Sequence, residues 1–142
     1  MTGRESMEVA MAGVETAKGK VLIVDAEPET RAISEDLLTA AGYDVVPASS
    51  VEEGLEATEK HRPDVVLFAS LKPPTGAIDF ARRLALSPSV RFTPVILVTA
   101  LNEFQIQSFL DGVPGVRRIV PAPCEPEALR AEIAHAIQHV RR

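Results

Sequence analysis

With 142 residues, 46% of them hydrophobic and 25% charged, the chain fits one globular domain with short tails that can bury a core unaided. Its formal net charge of -5 argues against a nucleic-acid partner, which selects for basic excess, and its one cysteine, Cys124, leaves no intramolecular disulfide and fits a reducing compartment. No apolar run approaches the roughly 18 residues that span a bilayer, and the charge-broken N-terminus does not read as a secretory signal, so no membrane partner is expected and the cytoplasm is the expected location.

Residues 1–18 lack a clear period and read as a flexible tail, with at most a helical turn around Glu8 to Val14. The domain is expected over residues 19–142. VLIVD from Val21 is a first strand. Ile33, Leu37, Ala40 and Ala41 then recur at helical spacing and predict an apolar helix face ending at Gly42. DVVPA from Asp44 is a second strand. Ser50-Val51-Glu52-Glu53 has the capping-box form and opens a second helix. DVVLFAS from Asp64 is a third strand, and Asp79 to Leu86 a third, shorter helix. PVILVTA from Pro94 is a fourth strand. Ile106, Phe109, Leu110 and Val113 predict a fourth helix face, stopped by Pro114 and Gly115. RIVPAP from Arg118 is a fifth strand. Pro126 suits the first turn of a final helix that buries Leu129, Ile133, Ala136, Ile137 and Val140.

Strands alternating with helices five times predict an α/β fold, a doubly wound parallel sheet with helices on both faces. The near-continuous apolar strands 1, 3 and 4 suit central positions. Strands 2 and 5 contain Pro47 and Pro121, and a proline cannot donate to a ladder, so both belong at edges. A flavodoxin-like (βα)5 sheet of order 2-1-3-4-5 satisfies all five assignments.

The segments VLIVDAEPETRAISEDLLTAAGYDV, RPDVVLFASLKPP, TPVILVTA and APCEPEAL, in that order and spacing, resemble the receiver domain of bacterial two-component response regulators over about residues 20–142. The resemblance implies a phosphoryl-accepting pocket. In it an acceptor carboxylate attacks a phosphoryl group, Mg²⁺ held by acidic residues neutralises the developing charge, and a lysine and a hydroxyl hold the phosphoryl oxygens. Here the motif positions read Asp25-Ala26-Glu27 for the acidic pair and metal ligand, Ala69 for the acceptor, Thr99 for the hydroxyl and Ala122-Pro123 for the lysine and its following proline. The resemblance also implies a cis Ala122–Pro123 bond. Ile119 stands where the family often has an aromatic switch residue. The loop Pro73-Pro74-Thr75-Gly76 looks one residue short.

Three alanines at once remove nucleophile, metal ligand and counter-charge, and the losses are mutually compatible. Without two carboxylates the like-charge repulsion falls, and without the lysine no cation is orphaned. Asp25 is expected to be hydrogen-bonded to nearby backbone or water, Glu27 to lie on the loop surface or at the helix start, and Thr99 to bond backbone. Ser70 is a poor substitute acceptor because the residue after Ala69 points to the opposite face. Asp79 reads as a helix N-terminal acid. His135 and His139 have metal-ligand spacing without further ligands, so a solvated face is expected. Cys124 has no neighbouring base and reads as structural.

The chain therefore reads as a pseudo-receiver: no enzyme, with no cofactor or metal, acting through a protein partner such as a kinase, a regulator or an output protein, or through a homodimer. Phe104, Arg117, Arg118, Ile119 and His135 form the candidate partner face. Two other readings are a regulator phosphorylated at an unconventional acceptor and a small flavodoxin-like enzyme or ligand binder working in the crevice at the strand ends.

Overall fold

Alternation within β1 (Lys20–Val24) builds both faces of the molecule at once. Val21 and Ile23 are fully buried in one hydrophobic cluster, Leu22 and Val24 in another, as the two-residue period of a strand requires. The same division runs through β3 (Val65–Ser70) and β4 (Val95–Thr99), where Leu67 and Ile96 join the first cluster and Phe68 and Leu97 the second. With β2 (Asp44–Ala48) and β5 (Val116–Pro121) these strands form one five-stranded parallel sheet of order β2-β1-β3-β4-β5. This is the expected fold class and order, and Pro47 and Pro121 sit in the two edge strands. The computed structural model describes residues 18–70, 75–100, 115–122 and 125–140. The helix expected around Ile106 to Val113, Phe104, Pro123 with the cis bond expected before it, and Cys124 lie outside the described residues.

Helices α1 (Pro28–Ala40) and α4 (Pro126–Val140) supply Leu38, Leu129, Ile133, Ala136 and Ile137 to the first cluster. On the other face α3 (Thr75–Ala85) buries Ala77, Phe80 and Leu84 in the second cluster, against which Val51, Leu55 and Ala57 of α2 (Val51–His61) pack. Phe80 meets Phe68 with ring centroids 5.4 Å apart and planes tilted by 52°, an edge-biased geometry that favours aromatic pairs.

Three local expectations need correction. The buried face of α1 is centred on fully buried Leu38, with Leu37 and Ala41 beside it, whereas Ala40 is exposed and Ile33 is 67% exposed. A helix flanked by a sheet edge buries only the arc that meets the sheet, and periodicity alone did not locate that arc. The third helix starts at Thr75 and not at Asp79, because Ala77 and Phe80 are drawn onto the sheet. Asp79 therefore lies within that helix, paired with Arg83 at 3.3 Å, and Leu86 falls past its end, exposed. The capping box of α2 is only half reciprocal. Ser50 Oγ accepts from the Glu53 N–H at 3.1 Å, but the Glu53 carboxylate turns back to the N–H and hydroxyl of Ser49.

The domain reaches back to Lys18, whose N–H donates to the Gly42 carbonyl at 3.0 Å and whose ammonium lies 5.9 Å from the Tyr43 ring centre. Between β4 and β5 the register shifts: Val95 pairs with Val116, and Ile96 with Arg118. Arg117 is thus the extra residue of a bulge, a device common at sheet edges.

Candidate functional site

The strand C-termini open onto one crevice, the usual place for a site in an open parallel sheet. Asp25 follows β1 directly and is 5% exposed. Its N–H donates to the Ala48 carbonyl at 3.0 Å, which pins it to the end of β2. One carboxylate oxygen accepts from the Glu27 N–H at 2.9 Å, the other from the Thr30 hydroxyl at 2.6 Å. Asp25 thereby acts on α1 as a capping side chain, accepting the backbone N–H of Glu27 that the helix start leaves free, and it also accepts the Thr30 hydroxyl. Glu27 occupies the N-cap position but makes no side-chain cap bond, and Pro28 opens the helix. Arg31 Nη1 donates to the backbone carbonyl of Asp25 at 2.8 Å.

Ala69, half-buried near the end of β3, lies in register with Val98 of β4. Thr99 is fully buried, and its carbonyl accepts the Ala122 N–H at 2.8 Å. That bond brings the start of the β5–α4 connection alongside the end of β4. Asp25, Ala26, Glu27, Ala69 and Ala122 consequently line a single cavity of about 530 Å³. Five of the expected pocket residues therefore converge. Thr99 is not among the lining residues, and Pro123 lies outside the described residues.

Sequence reasoning missed the rest of the wall. Ile33 and Leu37 of α1, Leu67 and Val98 of the sheet, and Leu129 of α4 also line the cavity, with Thr30, Ser34, Ser49 and Ser50 toward its polar parts. Ile33, Leu37 and Leu129 looked like ordinary core positions. The available signal was the i, i+4 pair Ile33 and Leu37 on the helix that starts at the pocket loop. The described lining is predominantly apolar, its charged members are Asp25 and Glu27, and among the described residues it includes no Lys, Arg or His. Phosphoryl transfer needs a nucleophile and compensating cations at this place, and at the three matching positions the described crevice presents methyl groups.

The expected partner face is placed unevenly. His135 is exposed on α4. Arg118 is exposed too, but its guanidinium clasps Glu132 with Nε and an Nη at 2.8 and 2.6 Å. That charge-assisted bond holds the Glu132 carboxyl below its usual pKa. Ile119 is half-buried, packed against the second cluster. The Arg117 side chain and Phe104 lie outside the described residues. Among the described residues this set therefore offers as apolar surface only what half-buried Ile119 leaves uncovered, and the Arg118 guanidinium is already held within the domain.

Comparison with known proteins agrees with this geometry. A profile of the response regulator receiver domain matches residues 21–134. The chain is 32% identical over 126 residues to a probable transcriptional regulator, ycf27, of Pyropia yezoensis, covering 88% of this chain and 50% of that protein. It is 27% identical over 114 residues to the alkaline phosphatase synthesis transcriptional regulatory protein PhoP of Bacillus subtilis, covering 80% and 46%. The chain thus spans about half the length of the curated relatives it matches. Among solved structures it is similar to the signal receiver domain of a signal transduction histidine kinase from Syntrophus aciditrophicus, with a TM-score of 0.76, 25% identity and coverage of 87% and 93%. It is also similar to the chemotaxis response regulator CheY4 of Vibrio cholerae, with a TM-score of 0.73, 26% identity and coverage of 82% and 97%. The chain belongs to the response regulator receiver family.

Proposed function

We propose that this receiver works without phosphorylation, as a protein-interaction module of two-component signalling in the cytoplasm. The observation that carries the reading is the convergence of Ala26, Ala69 and Ala122 on the crevice where Asp25 remains. An acyl phosphate needs a carboxylate to attack, a metal to neutralise charge and a donor to hold the transferred oxygens. None of the three is supplied by an alanine. Asp25 is engaged by the Glu27 N–H and the Thr30 hydroxyl, a role that explains its presence without a metal. Receiver domains are signalling modules, and one that has lost its covalent input signals through what it binds: a kinase, another regulator, an output protein or a second copy.

The test is direct. The chain is incubated with acetyl phosphate and Mg²⁺ and its intact mass recorded, with a phosphorylatable receiver alongside. The expected result is an unchanged mass for this chain and a phosphoryl adduct for the control. An adduct on this chain would overturn the reading, and mapping it would identify an unconventional acceptor.

A further inference from the structure

We infer that the crevice is a binding site for a small, mainly apolar amine, which acts as the non-covalent input to this domain. The inference rests on the proposed loss of phosphorylation, since a working phosphoryl site would need the same space.

Volume comes first. About 530 Å³ falls within the roughly 300–1,000 Å³ of small-molecule sites and far exceeds the roughly 30 Å³ share of one water. Lining comes second. Ile33, Leu37, Leu67, Val98 and Leu129 contribute aliphatic surface, which water solvates poorly and which an apolar ligand body would cover. Ile33 is 67% exposed, a large aliphatic side chain on the cavity wall with its own surface still to bury.

Charge decides the ligand's polar group. Among the described lining residues the charged ones are Asp25 and Glu27, and none of the described ones is cationic. Asp25 is 5% exposed, and its carboxylate is met by two neutral donors, the Glu27 N–H and the Thr30 hydroxyl. The nearby Arg31 guanidinium is not among the described lining residues and donates one N–H to the backbone carbonyl of Asp25, not to its carboxylate. Each carboxylate oxygen keeps acceptor capacity beyond its single bond. An ammonium group would place charge-assisted bonds there, whereas a carboxylate or phosphate would meet like charge in a partly desolvated site. A bare metal ion would leave the aliphatic wall unused.

The probes are 2-naphthylmethylamine and, as the anion of similar size, 2-naphthoate. Each is titrated into the full chain at neutral pH and followed through the amide spectrum. The amine should give saturable shifts centred on Asp25, Ala69 and Ala122, with an affinity at least roughly tenfold above that of naphthoate. Asp25→Asn should erase that preference, and Ala69→Leu should fill the cavity and abolish the shifts. If Ala69→Leu loses its dispersed spectrum, Ala122→Leu serves the same purpose from another wall. Equal binding of both probes, shifts that survive both filling variants, or no saturable shift from the amine overturns the inference. So does MgCl₂ alone if it reproduces the amine's pattern, because the site then selects a metal. Phosphoryl uptake is read separately, by mass, and a chain that takes neither phosphoryl group nor amine removes this inference while leaving the proposed function standing.

Discussion

A methyl group added at Gly54 measures how closely α2 is seated on the end of β1. A Cβ built there would lie 2.9 Å from Val24 Cγ2 and 3.1 Å from Phe80 Cε1, well inside the roughly 3.5–4.0 Å optimum for carbon pairs. Val24 is 2% exposed and Phe80 fully buried, so neither can swing into solvent. Two effects oppose each other in Gly54→Ala. Helix propensity favours alanine by about 1 kcal/mol, and overpacking a filled core costs about 1–3 kcal/mol. The contacts are short and both neighbours are enclosed, so the second should win, with a net loss of about 1 kcal/mol. For a domain of this size that lowers Tm by about 3–6 °C. Urea unfolding gives the free energy and scanning calorimetry the Tm. Val24→Ala removes the obstructing methyls, so in the double variant the alanine at 54 should become neutral or favourable, a coupling of about 1 kcal/mol or more. A single variant more stable than the parent, or additive effects in the double, would refute the close seating.

Millimolar Mg²⁺ with beryllofluoride should leave Tm unchanged, since a ligand stabilises only as far as it binds and Mg²⁺ sheds its water reluctantly; a clear upward shift in a thermal melt contradicts the proposed loss of phosphorylation. Arg62 ends α2 at φ 50°, a conformation that suits glycine, so Arg62→Gly should stabilise by about 0.5 kcal/mol in denaturant titrations, and a loss of stability would mean that its side-chain contacts outweigh the backbone relief. Glu132, with its pKa lowered from the ordinary 4.5 by Arg118, should add stability that is complete above that ordinary value and lost as pH falls through the lower folded value. Arg118→Ala should therefore cost at most about 1 kcal/mol near neutrality, and the gap between variant and parent should close in acid; a gap independent of pH counts against the pair.

Much of the fold was legible in local chemistry. The central strands β1, β3 and β4 are short, almost wholly apolar runs, which is what burial on both faces demands. Pro47 and Pro121 marked the edges because a missing N–H is tolerated only there. Boundaries depended on the rest of the chain. Nothing near Thr75 announces a helix, yet α3 begins there, because Ala77 and Phe80 gain burial against the sheet. The bulge at Arg117 has no sequence signal, since it arises from fitting one strand's twist to its neighbour.

The site divides in the same way. Which chemistry was missing was a matter of residue identity: alanines at 26, 69 and 122 carry no nucleophile, ligand or cation, whatever their surroundings. What remains in their place was decided only by the packing of distant segments. Asp25 is satisfied because α1 starts so that the Glu27 N–H and the Thr30 hydroxyl both reach it. Ile33 faces the crevice because α1 rolls onto the sheet through Leu38. The cavity's volume belongs to no single segment, since its wall is drawn from α1, α4 and the ends of several strands, and only folding brings those side chains within reach of one another.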